Sequence, residues 1–230
     1  MVQTRTATLR RAEKREARRQ QLIDATIDSI SKRGFSGTTL ATVTQTANLS
    51  HGVVNFYFET KEDLYIDTLG YLANEHYEIW HQAMLDAGPD PADQLAAIVA
   101  ADFDRRLCSR KKLAVWFAFW GQPRYRSNYL KIHNEHDDQR FAELVRLCSD
   151  LIADGGYTGE DPEALARSIE ATVDGLWLGL LLYPKGSKRE EAHNDAKAHL
   201  ARLFPRHFSK PVMKDGAASE KCEEVEVCST

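Results

Sequence analysis

No apolar stretch in this sequence is long enough to cross a bilayer. The longest uninterrupted runs, Leu113 to Trp120 and Leu176 to Tyr183, fall far short of the roughly 20 residues that a spanning helix needs. The arginine-rich N-terminus is not followed by an apolar stretch of signal-peptide length. The next long segment is amphipathic and carries Asp24 and Asp28, so the chain is expected to stay in the cytoplasm. Cysteine is scarce. Of the four, Cys108 and Cys148 fall in helical patterns and Cys222 and Cys228 in a polar tail, with no CxxC pair among them. They read as reduced, inert thiols, with a redox switch between the tail cysteines as the alternative. Convincing period-two alternation is also missing, which excludes strands as the main building element and leaves an all-α fold.

What the chain does have is segregated charge. The net charge of −4 argues against a wholly basic nucleic-acid coat, but residues 1–64 carry ten Lys/Arg against seven Asp/Glu, and the remainder twenty against twenty-seven. Only the N-terminal part favours phosphates. Within it Arg5, Arg10, Arg11, Lys14, Arg15, Arg18 and Arg19 face only Glu13 and Glu16. An arm of this kind can follow a DNA backbone, or it is simply a solvated leader.

From Arg18 the residues Leu22, Ile23, Ala25, Ile27 and Ile30 recur at helical spacing until Lys32-Arg33-Gly34 ends a first helix. Thr38-Thr39 offers caps for a second helix, from about Leu40 to Thr46. Asn48 interrupts it, and Ser50 caps a short third helix from His51 to Phe56. Thr60 with Asp63 three residues on makes a capping-box start for a long fourth helix reaching about Ala87. Gly88-Pro89-Asp90-Pro91 is the clearest punctuation. Helical patterns resume over 92–108, 111–120 and 128–153, then from Asp161-Pro162 and from Ser187 to about Phe204. The expected organisation is a basic flexible arm (1–17), a three-helix helix-turn-helix domain (18–64), a larger helical effector-binding and dimerisation domain (65–208) and a disordered tail (209–230).

Two short helices cross steeply when the turn tolerates a left-handed residue and a few apolar side chains pin the pair. Asn48 supplies the first, and Val43, Leu49 and Val54 the second. Thr38-Thr39, Ala47-Asn48-Leu49-Ser50-His51-Gly52 and Tyr57-Phe58-Glu59-Thr60-Lys61-Glu62-Asp63-Leu64 together resemble the DNA-binding signature of the TetR family of bacterial repressors. Asn48 stands where that family usually has glycine, and His51 where lysine or another polar residue is frequent. The resemblance implies a DNA surface made of Thr38, Thr39, Ser50, His51, Gly52, Val53, Asn55, Phe56, Tyr57 and Lys61. Thr39, Tyr57 and Lys61 would hold phosphates, while Ser50, His51, Val53 and Asn55 approach the major groove. With no Arg or Lys between Ser50 and Phe56, specificity would rest on His51, Val53 and Asn55. The family reads palindromic operators as a homodimer, with half-sites one DNA turn, about 34 Å, apart. Gly175 and Gly179 lie four apart on one helix face. They permit close approach of another helix, either of a second copy or within the subunit.

The segment Leu113 to Trp120 is apolar all round and dense in aromatics, and a further helix brings Asp174 and Trp177. A cavity walled by Trp116, Phe119, Trp120 and Trp177, with Asp174 as its carboxylate, would suit a quaternary ammonium; core packing is the bland alternative. Asp174 falls among apolar residues and must find a cation, a donor or water. Trp116 to Trp120 and Asp174 to Leu178 also resemble the choline-responsive Bet repressor branch of the same family. That implies a choline- or betaine-like effector, with another small amphiphile, or none, left open. The fourth helix would be the lever, running from Lys61 to Trp80 and Met84 beside the pocket. A competing reading is a helical metal-binding protein or enzyme using His133, Glu135 and His136, although no second such pair is present. No catalytic residue, cofactor or metal is otherwise read from the sequence.

Overall fold

A computed structural model describes residues 2–122, 126–186 and 188–208, with side chains over 10–50, 52–122, 136–186 and 188–208. The tail expected at 209–230, with Cys222 and Cys228, lies outside the described residues. Among those residues the architecture is entirely helical: α1 (Val2–Gly37), α2 (Leu40–Ala47), α3 (His51–Tyr57), α4 (Lys61–Asp86), α5 (Pro91–Ala101), α6 (Arg110–Trp120), α7 (Arg126–Gly155), α8 (Pro162–Leu182) and α9 (Arg189–Leu203). None of the described helices is long and apolar enough to cross a membrane.

Local chemistry sets most boundaries. Gly34, at φ 70°, breaks α1 before Phe35. Thr39 and Thr42 form a reciprocal capping box on α2, and Thr60 and Asp63 do the same for α4. Asp90 and Asp161 accept backbone N–H bonds ahead of Pro91 and Pro162, where proline's missing donor costs nothing. Asn48 closes α2 in the left-handed region (φ 53°, ψ 44°), its N–H reaching the carbonyls of Thr44 and Gln45.

Two expectations change. Residues 2–17 are not a flexible arm but the first half of α1. The segment lacks Gly and Pro and is rich in Ala, Arg, Lys, Glu and Gln, all good helix formers, so it propagates from the packed part without an apolar stripe of its own. And α5 ends at Ala101 rather than near Cys108. Asp102 turns into the core, and the Asp104 carboxylate takes the backbone N–H of Arg106 at 2.7 Å, a side-chain bond that competes with the helix.

Two apolar clusters result. Leu22, Ala25, Val43, Ala47, Val54, Phe58 and Leu64 form the small helix-turn-helix core. The large core runs through α4 to α9 and includes the fully buried Trp80, Phe103 and Phe204. Ile23, Ile27, Ile30 and Phe35 of α1 belong to this second cluster, so α1 serves both.

Candidate nucleic-acid interface and effector cavity

The helix-turn-helix stands on α1. Gln21 Nε2 donates to the Ala47 carbonyl at 2.8 Å beside the Asn48 turn, which fixes the angle at which α3 leaves. On α3, Val54 is fully buried while Gly52, Asn55 and Phe56 are exposed and Val53 and Tyr57 are partly so. Phe56 is 72% exposed and packs edge-on against Tyr57. Ser50 occupies the N-cap position, but its hydroxyl makes no capping bond, contrary to expectation. The side chain of His51 lies outside those described. Thr39 is exposed at the start of α2.

Thr38 needs correcting. Its side chain is fully buried, with Oγ1 donating to the Gly34 carbonyl at 2.9 Å and pairing with Ser29 Oγ at 3.1 Å, so the hydroxyl secures the α1–α2 joint and does not face a phosphate. Lys61 is half-buried: Nζ donates to the Phe35 carbonyl at 3.3 Å and lies over the Tyr65 ring at 5.0 Å.

The second site is a cavity of about 250 Å³ between α4, α6, α7 and α8, lined by His76, Asp102, Trp116, Trp120, Asp137, Arg140, Glu170, Val173, Asp174 and Trp177. It gathers four of the five residues expected around an effector. The indole of Trp116 is buried, Trp120 stands half-open at the mouth, and their centroids are 6.2 Å apart. Trp177 is held by a bond from Nε1 to the Asp102 carbonyl at 2.9 Å. Asp174, expected amid apolar neighbours, is exposed at the rim. Phe119 does not line the cavity. Successive helical positions point to different sides, and Phe119 turns to the far side of α6, edge-on to Phe35 and Tyr65 at 5.2 and 6.1 Å. Trp80 also lies in the core rather than on the cavity wall.

Beneath the indoles lies a polar network that sequence reading missed. Arg140 of α7 donates to Asp102 at 2.6 Å and to Glu170 at 3.0 Å, and Asp102 pairs with His76 Nε2 at 2.8 Å. Burial pushes the Asp102 carboxyl up, but Arg140 and His76 outweigh it and hold the group below the usual carboxylate range. Glu170 goes the other way: burial, then crowding by Asp137 and Asp174, raises it despite Arg140. Among the described residues the lining sets four carboxylates beside one guanidinium and one imidazole.

His136, of the proposed metal cluster, instead bonds Asn74 at 2.7 Å and stacks on Tyr77 at 4.6 Å; the side chains of His133 and Glu135 lie outside those described. Among the described residues no group of three or more His, Cys, Asp or Glu could hold a metal ion. Burial pushes Cys108 up to about 11 and Cys148 up to about 12, in keeping with inert thiols.

Comparison with known proteins agrees with both halves. Residues 22–68 match the family described as bacterial regulatory proteins, tetR family, and residues 91–205 the family described as BetI-type transcriptional repressor, C-terminal. The HTH-type transcriptional regulator BetI of Burkholderia ambifaria MC40-6 is 39% identical over 168 residues, covering 71% of this chain and 82% of that protein. A transcriptional regulator of Pseudomonas aeruginosa PAO1 superposes with a TM-score of 0.72 at 26% identity, over 84% of this chain and 93% of its own. A regulator of Saccharomonospora viridis, crystallised with choline, shares the fold with a TM-score of 0.65 at 17% identity, over 79% of this chain and 94% of its own. With a left-handed turn at Asn48, an α3 exposed beyond it and a helical domain closing over a separate cavity, this chain belongs to the TetR family of DNA-binding transcriptional regulators, as a repressor of the BetI type.

Proposed function

We propose that a small organic cation of the quaternary ammonium type occupies the α4–α6–α7–α8 cavity and releases the repressor from its operator. The carrying observation is the lining itself: three indoles with four carboxylates among the described residues, in a space of about 250 Å³. Indole faces attract a cation through the ring quadrupole, by about 0.5–2 kcal/mol each depending on desolvation. Carboxylates in the lining attract a cation and offer a neutral amphiphile no comparable term, which favours the cation over other small ligands. The relatives named BetI and the choline-bound fold neighbour are in keeping with this reading.

Two helices link cavity to DNA. α4 carries Lys61 at one end and His76 in the lining, about 22 Å apart at 1.5 Å per residue. α6 carries Trp116 and Trp120 on the cavity side and Phe119 against Phe35 on the other. A ligand that prefers one arrangement of these helices shifts the spacing of the reading heads. The heads are two because the repressor works as a homodimer in the cytoplasm. An added Cβ at Gly175 or Gly179 meets nothing within 4 Å, and Leu178, Leu182 and Tyr183 are exposed around them. This outer face of α8 therefore has no partner within the described subunit and suits a second copy. On the DNA, Asn55 and Val53 read bases, with His51 and Ser50 beside them, while Thr39 and Tyr57 hold phosphates; the Lys61 ammonium, expected to join them, is taken up by Phe35 and Tyr65.

The test is calorimetric titration with choline, betaine aldehyde and 3,3-dimethylbutanol, the uncharged isostere of choline, alongside operator binding. Tight binding of a cation that lowers operator affinity, lost in Trp120→Ala, is expected. Equal affinity for the uncharged isostere, or ligand binding that leaves operator affinity unchanged, overturns the reading.

A further inference from the structure

The DNA-reading motif is short of positive charge. Between Thr38 and Thr60 there is no Lys or Arg, and Lys61 is folded back on Phe35 and Tyr65. Most of the affinity of a protein for duplex DNA is phosphate neutralisation, so the cations must come from elsewhere in the subunit.

They stand on the extension of α1. Arg10, Arg11, Lys14, Arg15 and Arg18 are all exposed. At about 100° per residue they span roughly 140° of the helix circumference, with Glu13 and Glu16 on the opposite side. Among the described residues none of Arg10, Arg11, Lys14 and Arg15 enters an ion pair. Two of the acids nearby are engaged with Arg19, which bonds Asp67 at 2.8 Å and Glu16 at 3.4 Å, and Arg18 bonds Gln21. The basic face also has a definite direction. Lys14, Arg18, Gln21 and Ala25 follow one another at three- and four-residue steps. Ala25 and Leu22 on that side pack on Val43, Ala47, Val54 and Phe58, and Gln21 bonds the end of α2. The cations thus continue the side of α1 that carries α2 and α3, whereas Ile23, Ile27 and Ile30 face the large core.

We propose that the basic face of the α1 extension is a second, sequence-independent DNA contact, holding backbone phosphates that flank the half-site read by α3. From Arg18 to Arg10 the stripe runs about 12 Å at 1.5 Å per residue, against one phosphate charge per about 1.7 Å of duplex axis; several phosphates lie within its reach. The arrangement divides labour. α3 supplies discrimination with uncharged side chains, and α1 supplies salt-dependent affinity that any flanking sequence satisfies. The inference rests on the DNA-binding role of the chain, but not on which residues of α3 read bases.

The experiment uses the full chain with Arg10→Gln, Arg11→Gln, Lys14→Gln and Arg15→Gln combined, glutamine keeping helix propensity. A thermal melt checks that the fold persists. Fluorescence anisotropy measures binding to DNA from upstream of its own gene and to random duplex from 50 to 200 mM salt. The slope of log K against log salt should become shallower by about 0.9 for each phosphate no longer neutralised, with the operator-to-random ratio unchanged. Trimming the DNA flanks should bring the wild-type slope to that of the variant. An unchanged slope overturns the proposal, including the case where the variant loses only binding to vesicles of anionic lipid, which would assign the stripe to a membrane. A shallower slope in a protein that never prefers operator DNA supports the α1 contact and refutes the α3 assignments instead.

Discussion

Removing the Asp102 carboxylate tests the energetic centre of the effector domain. Asp102 is buried to 1% exposure, with one oxygen on Arg140 at 2.6 Å and the other on His76 at 2.8 Å. In Asp102→Ala the Arg140 guanidinium, itself buried, keeps its bond to Glu170 and the nearby charge of Asp137, and its Nε has no partner among the described residues. Breaking a buried pair by deleting one partner costs about 3–5 kcal/mol. The Glu170 contact, a third exposed, offsets part of this and places the loss near 3 kcal/mol, about 6–12 °C in melting temperature for a chain of this size. Arg140→Met alone leaves the buried carboxylate with His76 as its remaining partner and should cost a similar amount. The double variant Asp102→Ala/Arg140→Met removes both buried partners of the pair together and should melt above either single variant, giving a coupling of opposite sign to the single losses. The carboxyl is held below its ordinary range. Its stabilising contribution is therefore fully present above the unfolded carboxylate value of about 3.9 and disappears as pH falls through the folded value, so wild type and Asp102→Ala converge in acid. Calorimetric melts from pH 3 to 7 decide the matter. An Asp102→Ala protein melting within about 2 °C of wild type at pH 7, or a double variant as unstable as the sum of the singles, refutes the reasoning.

Other perturbations separate the remaining parts. Asn48→Gly should leave stability within a few tenths of a kcal/mol in urea, whereas Asn48→Ala, forced to φ 53°, should lose about 1 kcal/mol. Phe119→Ala should lower stability by about 3–5 kcal/mol while cation affinity by calorimetry changes little, because the ring lies on the far side of α6. Burial and the neighbouring Asp137 and Asp174 raise Glu170. A bound cation favours the ionised form, so affinity should rise with pH just above the usual carboxylate range with release of a proton, and this dependence should vanish in Glu170→Gln. Asn55→Ala should reduce discrimination between operator and random DNA by about 1–3 kcal/mol in competition binding with an unchanged melt; unaltered discrimination would remove Asn55 from the reading surface.

Features set by neighbours in the chain were legible in the sequence. The left-handed turn at Asn48, the capping box of Thr60 with Asp63 and the Asp161-Pro162 start each depend on residues within four positions. The helical state of 2–17 was missed because it rests on propensity alone, with no apolar period to announce it. Burial of Thr38 was missed because a threonine at a helix start caps or contacts equally well until Ser29 and Gly34 are known to face it. The cavity shows the same division. Trp116, Trp120 and Trp177 could be picked from aromatic spacing, but His76, Asp102 and Arg140 meet across 26 and 38 positions, and nothing local marks them. Phe119 fell on the wrong side because a helix apolar all round does not declare which face meets which neighbour.

The double allegiance of α1 has a consequence for anyone recombining such regulators. With Leu22 and Ala25 in the small core and Ile23, Ile27, Ile30 and Phe35 in the large one, the reading head is not a cartridge that can be cut out near Leu64 and plugged onto another sensor. A fragment ending there would bare a greasy flank of isoleucines, and a hybrid with a foreign effector domain would inherit a mismatched seam along half of its first helix. Interchangeable parts would have to trade that flank of α1 together with the sensor it rests upon.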